Sequence, residues 1–118
     1  MAPPHWHLLA GKTAAITGGT TGIGRAIALE FVRQGCNVAV NHLGLASDVH
    51  HKESLLEEAR KIKSSEGGEG AGDIIEVEGD VSDPATGKRL VEMAVEKWGR
   101  LDIFVSNAGV CQFAEFLE

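Results

Sequence analysis

Along the chain, short apolar runs alternate with longer stretches in which apolar residues recur every three or four positions. Residues 12–17 (KTAAIT) are an apolar run halted by glycines, the pattern of a strand buried on both faces. Over residues 22–34, Ile23, Ile27 and Phe31 fall at i, i+4 and i+8 with Ala28 and Val32 beside them, and Gly35 supplies a stop, so an amphipathic helix is expected. Residues 37–41 (NVAVN) read as a second strand. The loop HLGLASD then ends with Ser47 or Asp48 as the cap of a polar helix over residues 49–65, whose apolar stripe is Leu55, Leu56, Ala59 and Ile62. After a glycine-rich loop (EGGEGAG, 66–72), residues 74–77 make a third strand. A third helix follows over residues 84–98, with Asp83 as N-cap, Pro84 at its first position and Gly99 as its stop; Leu90, Val91, Ala94, Val95 and Trp98 should face inward. Residues 101–106 (LDIFVS) close the pattern as a fourth strand.

Strand, helix, strand, helix, strand, helix, strand implies a parallel sheet, because each crossover helix returns the chain to start the next strand in the same direction. The fold class is therefore α/β, a Rossmann-type parallel sheet with flanking helices and strand order 3-2-1-4. Right-handed crossovers place the first two helices on one face and the third alone on the other, and they leave strand four as an open apolar edge. That imbalance suits a truncated half of the full fold. Residues 1–10 read as a loose leader, and residues 11–118 as one partial nucleotide-binding domain.

Composition narrows the partners. A net charge of -6 and a pI near 5.3 argue against a nucleic-acid surface, which needs clustered Lys and Arg. No apolar run approaches the roughly 20 residues that span a bilayer, and the N-terminus lacks a signal-peptide pattern, so a cytoplasmic protein with no membrane partner is expected. Cys36 and Cys111 form no disulfide framework and read as packing residues. The close pairs His5/His7 and His50/His51 lack a third ligand at usable spacing, so no metal site is assigned.

In such a sheet, ligands bind beyond the carboxyl ends of the strands, near the switch point between strands one and four. Four unusual segments lie there: the glycine loop 17–24 (TGGTTGIG), Asn41-His42, Gly79-Asp80-Val81 and Ser106-Asn107-Ala108-Gly109. Gly18, Gly22 and Gly24 are spaced G-x-x-x-G-x-G at a strand-to-helix turn, where missing side chains let backbone N–H groups and the helix dipole meet a pyrophosphate. The alternative is a tight turn with close helix packing, and the strand before and helix after favour the dinucleotide. A P-loop fails, because Gly11-Lys12-Thr13 precedes its strand and the motif's first glycine would fall on Trp6. Asp80 either shapes a turn or contacts a ligand, and Asn107 suits a left-handed turn as well as a binding role.

Taken in order, TGGTTGIG, GDVSDP and NAG resemble the N-terminal half of a short-chain dehydrogenase/reductase, from about Gly11 to the end of the chain. The resemblance implies an NAD- or NADP-dependent oxidoreductase that passes a hydride between nicotinamide and a carbonyl or secondary alcohol. It implies that Gly18, Thr20, Thr21, Gly22, Ile23 and Gly24 hold the cofactor, that Asp80 contacts adenine through its carboxylate and Val81 through its backbone, and that Asn107, Ala108 and Gly109 lie against the adenosine ribose and steady the glycine loop. Ser106 departs from the family's usual Asn. The Val-Asn-His after strand two leans toward sugar and polyol dehydrogenases.

Cofactor choice turns on the end of strand two, where an acid would bond the ribose 2′-hydroxyl and repel a 2′-phosphate. Asn41 and His42 offer neither an acid nor an Arg/Lys clamp, which leans slightly to NADP with NAD also usable. His42 either donates to that phosphate or is an exposed loop residue. The family's catalytic Tyr and the Lys four positions after it have no counterpart, and the chain holds no tyrosine at all. No catalytic residue is assigned, and no hydride transfer is expected from these residues alone. The other reading is a non-catalytic nucleotide-binding or interaction module whose open edge pairs with a partner chain, a second copy included.

Overall fold

The structure, a computed structural model, describes residues 7–65 and 70–107. Its elements are β1 (Thr13–Ile16), α1 (Gly22–Arg33), β2 (Asn37–His42), α2 (Ala46–Ser64), β3 (Ile74–Glu78), α3 (Pro84–Trp98) and β4 (Ile103–Val105). The four strands form one parallel sheet in the order β3-β2-β1-β4, the order expected of a Rossmann-type half-sheet.

Alternation along the strands divides the core between two faces. Ala14, Ile16, Val38 and Val40 point to the α1/α2 side, where they pack with Ala28, Val32 and Leu55. Ala15, Ala39 and Val77 point the other way and meet Leu90 and Ala94 of α3. Each fully buried Ile, Leu or Val contributes about 1.5–3 kcal/mol, so these two layers, rather than helix propensity, hold the helices in place.

Several boundaries and faces differ from the sequence expectation. α2 begins at Ala46, so Ser47 and Asp48 lie inside its first turn and neither is the N-cap. Asp48 instead accepts from the Leu45 N–H at 2.9 Å, half of a capping box that starts the helix earlier. β4 is three residues long, because Asp102 turns away to accept from the Thr13 N–H at 2.9 Å and from the Arg100 guanidinium. On α1 the buried positions are Gly24, Ala28 and Val32, one step round from the expected stripe. The small Gly24 and Ala28 let the helix approach the sheet, Ile27 and Phe31 flank the contact, and Ile23 stands 73% exposed at the first turn. On α3, Val95 is exposed while Thr86 is buried.

Residues 7–10, placed in a loose leader by the sequence reading, form a turn against the end of α1. Leu9 N–H donates to the Gln34 carbonyl at 2.9 Å, Leu8 N–H donates to Gln34 Oε1 at 3.1 Å, and the Leu9 side chain joins the α1-side core. Cys36 is buried beneath that layer, and burial, aided by the Asp102 charge, pushes its thiol up to about 11, so it carries no thiolate at neutral pH. Cys111 lies outside the described residues. Among those residues no helix is long and apolar enough to cross a membrane.

Candidate cofactor site

The loops beyond the carboxyl ends of β1, β2, β3 and β4 are joined by side-chain hydrogen bonds into one surface. The glycine loop comes first. Gly18 and Gly22 have φ values of 62° and 57°, the left-handed region that glycine enters without a Cβ penalty. A Cβ on Gly24 would stand 2.5 Å from the Gly18 carbonyl and 2.7 Å from Asn107 Nδ2, and one on Gly19 would stand 2.8 Å from Val40. Gly19 was not singled out from the sequence. Its requirement comes from packing against the neighbouring strand, which a spacing pattern does not display.

The loop delivers the chain into α1 with that helix's N-terminus bare. Thr21 occupies the N-cap position without a side-chain cap, and the first turn holds no acidic residue. Among the described residues none accepts from the N–H groups of Gly22, Ile23 or Gly24. Three backbone donors without an acceptor and the positive end of the helix dipole therefore gather at one helix end, an arrangement suited to an anion. A Cβ on Gly22 would meet nothing within 4 Å, so the space in front of that turn is open.

Asn41 and His42 end β2, and both are buried, at 2% and 7% exposure. His42 is thus neither an exposed loop residue nor a free donor. Its Nδ1 accepts from the Gly44 N–H at 3.0 Å and so carries no proton, and its Nε2–H donates to Glu76 Oε2 at 2.5 Å. Lys52 of α2 lies 3.8 Å from the other oxygen of Glu76. The β2/β3 register puts Glu76 and His42 on one face, and register is a property of the folded sheet that the linear chain does not disclose. Asn41 Oδ1 accepts from the Gly18 N–H at 3.3 Å, and its Nδ2 donates to the Gly79 carbonyl at 2.9 Å.

Beyond β3, Asp80 Oδ1 accepts from both the N–H and the hydroxyl of Ser82, at 2.9 and 2.8 Å. These bonds hold its carboxyl below the usual carboxylate range, so it is ionised at neutral pH. Among the described residues its other oxygen has no donor, so shaping the turn leaves one acceptor facing solvent. Val81 beside it is 41% exposed. Beyond β4, Asn107 N–H donates to Thr17 Oγ1 at 2.9 Å and its Nδ2 donates to the Gly18 carbonyl at 3.1 Å, which ties this turn to the glycine loop. Ser106 is exposed. Ala108 and Gly109 lie outside the described residues.

With this geometry in hand, comparison with known proteins is decisive. The family model described as short chain dehydrogenase matches residues 12–118. The chain belongs to the short-chain dehydrogenase family. It is 50% identical over 111 residues to an L-rhamnose-1-dehydrogenase of Scheffersomyces stipitis, a match covering 94% of this chain and 40% of that protein. It is 40% identical over 108 residues to an L-rhamnose 1-dehydrogenase (NADP(+)) of Thermoplasma acidophilum, covering 90% of this chain and 37% of that protein. Among solved structures, a short-chain dehydrogenase/reductase from Serratia marcescens matches with a TM-score of 0.72 and 32% identity, over 88% of this chain and 38% of that one. The chain thus spans about 40% of the length of the curated relatives it matches.

Proposed function

We propose that this chain supplies the dinucleotide-binding part of an NAD(P)-dependent oxidoreductase. The observation that carries the reading is the N-terminus of α1, which has no side-chain cap: the N–H groups of Gly22, Ile23 and Gly24 have no acceptor among the described residues, and the space in front of Gly22 is open, as binding a pyrophosphate requires. The residues present fit the cofactor. Gly18 and Gly22 keep side chains out of its path, Asp80 offers an acceptor to an adenine amino group, Val81 offers its backbone, and Asn107 borders the adenosine ribose.

When bound, the nicotinamide ring supplies a hydride acceptor or donor. The described residues of this chain contribute binding and orientation. We assign the whole protein's activity to oxidation of a sugar, an aldose at carbon 1, for which a bound nicotinamide would be the two-electron acceptor. The L-rhamnose dehydrogenases among the relatives support that substrate class.

Use of both cofactors is proposed as well. Neither Asn41 nor His42 places a negative charge at the end of β2, which tolerates a 2′-phosphate, while the Glu78 carboxyl packed over Gly44 works against one. His42 serves by fixing the Gly44 loop rather than by donating directly. Relatives named for NAD(P)(+) and for NADP(+) agree with dual use. The test is an assay of the whole protein with L-rhamnose and either NAD+ or NADP+, following reduced nicotinamide by absorbance. Reduction with L-rhamnose is expected, and reduction with other secondary alcohols but no aldose would overturn the sugar assignment.

A further inference from the structure

We propose that Asn41 is a positioning residue whose side-chain amide locks the phosphate-facing glycine loop to the adenine-facing turn after β3, so that both parts of the cofactor site are presented as one surface. The inference rests on the dinucleotide reading above and adds to it the residue that sets the site's geometry.

β2 lies between β1 and β3, and its backbone bonds to both until the strands end. The last rung toward β3 is Gly79 N–H to the His42 carbonyl, at 2.8 Å. Past that point, among the described residues, no backbone bond joins the turn after β3 to β2. The Asn41 side chain extends the bridging by one more step on each side. Its Oδ1 takes the Gly18 N–H at 3.3 Å, its Nδ2 gives to the Gly79 carbonyl at 2.9 Å, and its own carbonyl takes the Gly19 N–H at 3.1 Å.

The chemistry of the bridge suits a short amide. One loop presents a donor and the other an acceptor, and the Asn side chain carries both functions on one planar group, with Gln a methylene too long for this buried site. An Asp would keep the bond to Gly18 and set a carboxylate oxygen against the Gly79 carbonyl. A Leu would satisfy neither loop. His42 cannot substitute, because it faces the opposite side of the sheet and both its ring nitrogens are engaged.

The Gly18 peptide shows why position matters. Asn41 holds its N–H and Asn107 Nδ2 holds its carbonyl, while its φ of 62° places it where side-chain sterics give no guidance. Without the Asn41 amide the Gly18 N–H loses its acceptor, and the loop keeps the Asn107 bond to the Gly18 carbonyl and the Gly19 N–H bond to the residue-41 carbonyl. The bare N–H groups of α1 then sample orientations unsuited to the pyrophosphate, and Asp80, next in sequence to Gly79, loses its fixed separation from them.

The full chain as wild type, Asn41→Leu, Asn41→Asp and a core control, Val38→Ala, is titrated calorimetrically with NADH and with ADP, at a temperature where circular dichroism shows each folded. Amide exchange of Gly18 is followed by NMR on the same samples. Losing one or two buried hydrogen bonds should weaken both ligands by roughly tenfold or more in the Asn41 variants. Gly18 should also lose its protection from exchange, whereas Val38→Ala should lower the melting temperature and leave affinity unchanged. If Asn41→Leu fails to fold, the isosteric Asn41→Asp carries the test. Asn41 variants that bind both ligands as wild type does would overturn the proposal, as would an equal loss in Val38→Ala. Absence of binding by folded wild type would be a different outcome, seen before any variant is compared, and it would sink the dinucleotide reading together with this proposal.

Discussion

A methyl group on Gly24 would enter space already held by the Gly18 carbonyl and Asn107 Nδ2, at 2.5 and 2.7 Å. Gly24→Ala is therefore expected to destabilise by about 1–3 kcal/mol and to push the two loops apart, which urea denaturation and ligand titration would both register. Gly22 is the opposite case. Its Cβ would meet open space, so Gly22→Ala carries only the left-handed backbone strain of about 1–2 kcal/mol, while a large side chain there would block the site from the front. Thr13 offers a prediction of the reverse sign. It is fully buried at the start of β1 and among the described residues its Oγ1 has no hydrogen-bond partner, so Thr13→Val should raise stability by about 1 kcal/mol, read as a higher urea midpoint at unchanged slope. The glycines at 18, 22 and 24 were legible because their spacing reports a turn followed by a helix. Asn41 and His42 were legible as positions and not as roles. Their burial and partners depend on strand register and on how the loop at Gly44 folds back, and neither has a signature in the linear order of residues.

The helices α1 and α3 begin in different ways. α3 starts from Asp83, whose carboxylate accepts from the Ala85 N–H at 2.9 Å, with Pro84 at its first position, whereas α1 starts from Thr21 with no side-chain cap. A bare helix end that competes with no internal cap is ready for an external anion; a capped one is not. Asp83→Ala should thus cost about 1 kcal/mol of stability without altering cofactor affinity, a pairing that thermal melts and titration together would test. At the opposite end of the sheet, Asp102 bonds the Arg100 guanidinium and the Thr13 N–H, which hold its carboxyl down to about 2. Because its folded pKa lies below the ordinary carboxylate value of about 4, its contribution is fully present above that value. It is lost as pH falls toward 2. Urea midpoints measured down that range should show Asp102→Asn losing less stability than wild type between neutral and acid pH. Element types and order were legible because hydrophobic period separates strand from helix. The start of α2 and the length of β4 were not, since the Leu45–Asp48 backbone bond and the inward turn of Asp102 are settled by local competition between side chain and backbone.

The sheet buries both faces of β1 and β2 between α1 and α2 on one side and α3 on the other, and it carries its loops to one edge. Alternation made a parallel sheet legible, and the 3-2-1-4 order followed from its likeness to a Rossmann-type half-sheet. At the β4 side of the α3 layer, Phe104 remains 46% exposed although it pairs in register with the buried Ala15, so apolar surface continues to the edge strand. The loops that end β1, β2, β3 and β4 are linked through Gly18, Asn41, Gly79 and Asn107, and the claim built on that linkage is that they bind a nicotinamide dinucleotide. Its most direct test is calorimetric titration of the folded chain with NADH and NADPH, beside Gly22→Trp. Saturable binding by the wild-type chain, abolished in the variant, is the predicted result. A folded wild-type chain that binds neither cofactor, or a Gly22→Trp chain that binds as well as wild type, would contradict it.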